Sequence, residues 1–142
     1  MKSYTDIEQS KKLVKILPIE SADMRYGYIA PYEYSDRMFD GGYDEVPYQK
    51  DFLKRNPNFS ENEYDGEFSC WSLSALLGVL DIEINSENGE IYQLNIEKDG
   101  TLWNVSYKEL YNRANPIETE STEELVDACV EMILNLHKQK LL

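Results

Sequence analysis

A chain of 142 residues with 42% apolar side chains has the length and hydrophobic content of one folded domain, 1–142, and excludes wholesale disorder. Its charge is one-sided, with 27 acidic against 14 basic residues and a formal net charge of -13. That balance excludes the basic footprint of a DNA- or RNA-binding protein and docking on anionic membranes. No apolar run approaches the ~20 residues of a membrane span. The segment Met1–Ser10 is polar, without a signal-peptide core, so a cytoplasmic protein is expected.

The first expected element is a helix over about residues 6–17. Thr5 with Glu8 has the spacing of a capping box, and Ile7, Val14 and Leu17 lie near one stripe that Leu13 and Ile16 broaden. Pro18 ends it. Residues 19–67 then lose any lasting period. Tyr26, Tyr28, Tyr32, Tyr34, Tyr43, Tyr48 and Tyr64 fall here, seven of the 11 tyrosines, among Pro31, Pro47, Pro57, Gly41, Gly42 and Gly66. Met24–Ile29 reads as a short strand and Tyr48–Arg55 as a helical turn. The rest reads as a long tyrosine-rich loop, and loops of that length inside a domain tend to be functional.

The apolar run from Cys70 to Leu80 follows. Leu73, Leu76, Leu77 and Leu80 recur at helical spacing, with Ser69 or Ser72 as cap, which predicts a central buried helix over about 71–80. Residues 81–107 alternate as a three-stranded antiparallel meander. Ile82 and Ile84 mark its first strand. Asn88-Gly89 marks a hairpin, and Tyr92, Leu94 and Ile96 the second strand. Asp99-Gly100 turns into Trp103, Val105 and Tyr107. Lys108–Ala114 reads as a short helix before Asn115-Pro116. The last element is a helix over about 122–139, capped by Ser121 with Glu124. Its stripe is Leu125, Ala128, Cys129, Met132, Ile133 and Leu136, and acids at its start and His137, Lys138 and Lys140 at its end complement the helix dipole. These elements predict an α+β fold, with the meander packed against two or three helices.

Few residues form a catalytic pattern. Ser69-Cys70-Trp71-Ser72 is similar to the nucleophile segment of papain-like cysteine proteases, in which a thiolate gains from a helix N-terminus. That chemistry needs a histidine to take the thiol proton, and His137 is the sole histidine. It falls on the last helix, with no Asn or Asp after it. Cys70 and Cys129 are expected as thiols, and one His with two scattered Cys makes no zinc site. Asp36, Asp40, Asp44 and Glu45 with Gly41-Gly42 lack the ligand spacing of a calcium loop. Asp81, Glu83, Asn85 and Glu87 alternate as the polar face of a strand does. No glycine-rich phosphate cradle is present, so neither metal nor cofactor is expected.

The tyrosine-rich segment remains. Tyrosines bring contact area and a polar handle at modest entropic cost. Tyr26, Tyr28, Tyr32, Tyr34, Tyr43 and Tyr48, interleaved with Glu33, Asp36, Asp40, Asp44 and Glu45, form the candidate interaction surface. Its complement is a basic patch on a protein partner. The competing reading is that the tyrosines clamp the loop onto the meander. Two other functions stay open: a cysteine-dependent hydrolase built on Cys70, and an acidic DNA mimic that blocks a DNA-binding protein.

Trp71–Leu77 (WSLSALL) and Leu125–Met132 (LVDACVEM), with Gln9–Leu13 and Glu20–Met24, resemble an uncharacterised family of small acidic proteins from gut bacteria and their phages or mobile elements. The resemblance spans both ends and the middle of the chain. It implies a cytoplasmic protein of phage or mobile-element origin and carries over no catalytic residue.

Overall fold

Asp6, not Thr5, opens the first helix in the computed structural model. Gln9 N–H donates to the Asp6 carboxylate at 2.8 Å, and Asp6 N–H donates to Gln9 Oε1 at 3.1 Å. The capping box expected at Thr5 and Glu8 is therefore formed one residue later, and Thr5 is buried. Helix α1 runs Ile7–Val14. It stops three residues short of the expected end, because Ile16 and Leu17 N–H both turn back to Leu13 O ahead of Pro18, whose ring disfavours helix in the preceding residue. Leu13 is fully buried and Val14 is exposed, so Leu13 anchors the stripe in Val14's place.

The structure describes residues 1–29, 32–34, 36–39, 42–43, 46–49 and 67–142. They divide into two compact units, Asp6–Trp71 and Met1–Thr5 with Ser72–Leu142.

In the first unit, β1 (Met24–Ile29) occupies the span expected for it. It pairs antiparallel with β4 (Gly42–Tyr43), β5 (Tyr48–Gln49) and β6 (Glu67–Cys70), while β2 (Tyr32–Tyr34) and β3 (Arg37–Phe39) form a separate hairpin. The tyrosine-rich stretch thus contains strands where a loop is expected. Each of β2–β5 is two or three residues long, too short for alternation to show in the sequence. Tyr48–Gln49 is strand at the point where a helical turn is expected, and the remainder of that turn, 50–55, lies outside the described residues. Helix α1 packs on β6. A single 3-10 turn, Ile19–Ser21, is tied to the core by Trp71, whose indole Nε1–H donates to Ser21 Oγ at 2.9 Å. Trp71 has no exposed surface.

In the second unit, Ser72 caps α2 (Leu73–Val79) by accepting Ala75 N–H at 3.2 Å. The meander follows as β7 (Glu83–Asn85), β8 (Ile91–Asp99) and β9 (Leu102–Glu109). It gains a fourth strand, β10 (Ile117–Glu118), in the order β10-β9-β8-β7. The glycine turns serve as expected: Gly89 and Gly100 adopt φ of 82° and 62°, a region costly for any residue with a Cβ. The helix expected over Lys108–Ala114 is absent; β9 continues to Glu109 and a turn follows. Likewise the chain stays extended through Thr122, which exchanges two backbone hydrogen bonds with Trp103. Helix α3 therefore begins at Leu125, with Glu124 as N-cap and no side-chain cap bond, so the expected Ser121–Glu124 box is not made.

Helix α3 (Leu125–Lys138) carries the core. Its whole expected stripe is buried, together with Val126 and Val130. It packs on β9, where Val105 and Tyr107 are fully buried, and α2 packs against it. Central burial thus belongs to α3; α2 buries Leu76 and leaves Ser74 and Gly78 exposed. Tyr92 is buried on the expected sheet face, while Leu94, Ile96 and Trp103 are half-buried. Each fully buried aliphatic side chain contributes about 1.5–3 kcal/mol through removal from water. The architecture is α+β, and no helix among the described residues is long and apolar enough to cross a membrane.

Candidate interaction surface

Strand β1 brings distant tyrosines into register. Tyr28 is the Cα partner of Tyr43, and Arg25 that of Tyr48. In the neighbouring hairpin Tyr32 pairs with Phe39 and Tyr34 with Arg37. One of the six candidates is not a surface residue: Tyr26 is 2% exposed. Two-residue alternation on β1 puts it on the same face as Met24, which is also buried. Tyr48 is half-buried, and Val46 nearby in sequence is exposed, as are Asp36 and Arg37. The side chains of Tyr28, Tyr32, Tyr34 and Tyr43, and the residues Asp40, Asp44 and Glu45, lie outside what is described.

The thiols are internal. Cys70 has no exposed surface and sits on β6 rather than at a helix N-terminus. His137 is exposed in the last turn of α3. Cys129 is fully buried, and burial pushes its thiol up to about 11. Burial also raises the Tyr107 phenol, whose O–H donates to Asp81 O at 2.6 Å. Asp81, Glu83, Asn85 and Glu87 are exposed, as a solvated strand edge requires. Among the described residues no three His, Cys, Asp or Glu side chains converge as metal ligands would.

One site was not legible in the sequence. Glu109 ends β9 with a carboxylate shielded from solvent. Its Oε2 accepts the N–H of Tyr111 at 2.8 Å and of Arg113 at 2.7 Å, and its Oε1 faces the Arg113 guanidinium at 3.4 Å. The Arg113 N–H leads the interactions that hold Glu109 below the ordinary carboxylate range, against the opposing effect of burial. The guanidinium in turn lies 4.9 Å from the centre of the Tyr111 ring. Asn112 adopts φ 55° to complete the turn. The result is a protrusion braced by its own carboxylate, on which Leu110 is 42% and Tyr111 63% exposed. The i, i+4 spacing of Glu109 and Arg113 was the available signal, and it reads equally well as a helix.

A second feature lies where β10 meets α3. Glu118, Thr119, Glu120, Glu131, Leu134, Asn135 and Lys138 line a shallow groove of about 390 Å³.

No protein-family model, curated protein or solved structure matches this chain.

Proposed function

We propose that the chain is a non-enzymatic, cytoplasmic protein-interaction module whose acidic, tyrosine-rich strand region receives a basic patch of a protein partner. The carrying observation is the pairing of Tyr28 with Tyr43 across β1 and β4, with Tyr48 on β5 opposite Arg25 and with Tyr32 and Tyr34 on the hairpin that follows β1 in the chain. Paired strands hold aromatic side chains with less entropy left to lose than a loop does, and that favours association. Tyr26 belongs to the core and drops out of the contact set. The net charge of -13 complements a basic partner and speeds encounter with it.

Affinity purification of the tagged protein from a native-type host, with and without nuclease, tests this reading. The expected result is a stoichiometric protein partner that survives nuclease. It is lost when Tyr28, Tyr32 and Tyr34 are changed to Ser. A clean, partnerless monomer contradicts the reading. A partner that is a DNA-binding protein and is displaced by duplex DNA moves the assignment to DNA mimicry.

A further inference from the structure

The protrusion after β9 and the groove between β10 and α3 are complementary. The protrusion offers an exposed leucine, an exposed tyrosine ring and a cation. Arg113 is 60% exposed even while paired with Glu109, so its guanidinium keeps donors for a further acid. The groove offers Leu134 beside the carboxylates Glu118, Glu120 and Glu131, with Lys138 among them. Tyr and Arg are the residue types that dominate binding hot spots. Here they are held in place by a buried carboxylate and a left-handed Asn112, so little ordering is left to be done on contact.

We infer that a second copy of this chain is the occupant: the Leu110–Arg113 turn of one molecule seats in the β10–α3 groove of another. Tyr111 lies against Leu134, and Arg113 pairs with the glutamates that line the groove. This inference is independent of the proposed tyrosine-strand surface, since it uses none of those strands. A groove this small buries less than the ~1,200–2,000 Å² of a stable interface, and two chains of net charge -13 repel. The association is therefore weak and concentration-dependent. It closes into a dimer if both turns seat reciprocally, and otherwise extends head to tail.

Sedimentation equilibrium over a wide concentration range reads it directly. The average mass should rise above the 16.6 kDa of the single chain as concentration rises. Tyr111→Ser removes an exposed ring and its contact with the Arg113 guanidinium, leaves the bond from Tyr111 N–H to Glu109 in place, and should weaken association about tenfold or more. Arg113→Glu and Glu131→Arg should each abolish it alone, and an equimolar mixture of the two should regain it, because each supplies the charge the other lost. Circular dichroism establishes that each variant is folded. A mass that stays at that of the single chain overturns the inference. So does self-association that is indifferent to Tyr111→Ser, or a mixture of the two charge variants that stays monomeric.

Discussion

Glu109 is a carboxylate without solvent, and it keeps its charge because its own turn supplies the donors. Two backbone N–H groups and a guanidinium replace the water it has lost. Its folded pKa lies below its unfolded value. The stability it contributes is thus present above the unfolded value and lost as pH falls through the folded one. Acid unfolding followed by fluorescence should show this as a loss of stability below about pH 4.3. Glu109→Gln should be less stable at neutral pH and flatter on the acid side, and an unchanged acid limb would refute the assignment. Tyr92, nearby, sits in the opposite situation. Burial first, then the hydrogen bond its hydroxyl donates to Glu90 and the charges of Glu90 and Glu109, raise its pKa. Cys129 follows the same sign: its stability contribution is fully present below the unfolded value of about 9 and lost as pH rises toward about 11. In native protein at mildly alkaline pH, Cys129 should therefore resist alkylation and react only after denaturation; rapid native labelling would contradict its burial. Ser106 is one of three exceptions to good pairing among the described residues, with Asn95 Nδ2 and Thr119 Oγ1. It is fully buried, and its hydroxyl has no hydrogen-bond partner among the described residues. Ser106→Ala should be neutral or stabilising by up to ~1 kcal/mol, readable as the midpoint of urea unfolding.

The elements show which kinds of pattern a sequence displays and which it hides. The larger segments were legible: β1 has its expected span, the meander has its three strands and its glycine turns, and the stripe of α3 is buried residue for residue; the alternation itself holds less well, since Ile82 lies outside β7 and is exposed, and β9 buries Val105, Ser106 and Tyr107 in succession. Helix ends were less legible, because several residues could cap and the sequence does not choose among them. Thr122 was taken by Trp103, which delayed α3, and Asp6 outcompeted Thr5 at α1. The capping box at α1 implies that Asp6→Ala costs ~0.5–2 kcal/mol. Ile133, fully buried in the middle of α3, should cost ~2–5 kcal/mol on truncation to Ala. Both are measured by denaturant unfolding, and equal costs would contradict the assignment of the core to α3. Most strands of two or three residues left no trace, since alternation needs more positions than they have; β7, equally short, was legible beside the Asn88-Gly89 turn and the longer β8. For that reason β2–β5 and β10 were missed. The turn after β9 stands where a short helix over Lys108–Ala114 is expected, and the i, i+4 spacing of Glu109 and Arg113 does not separate the two, since helices and tight turns closed by a side chain share it.

At the scale of the whole molecule, charge and aromatic content carry the functional account. The net charge of -13 implies that partner binding weakens as salt rises, because encounter is steered by fields that salt screens. The candidate contact set was legible as a tyrosine count; the exclusion of Tyr26 was not, because the strand itself does not say which of its faces is covered. The account requires a partner to reach Tyr28, Tyr32, Tyr34 and Tyr43, and Tyr28 is the most stringent of them because it shares the β1 parity of the buried Met24 and Tyr26. Tyrosine nitration of the native protein, mapped by mass spectrometry, tests this. Tyr111, 63% exposed, marks the reactive limit, and Tyr26 and Tyr107, both buried, the protected one. The account predicts that the four tyrosines are modified at rates near that of Tyr111. Protection as strong as that of Tyr26 would contradict it.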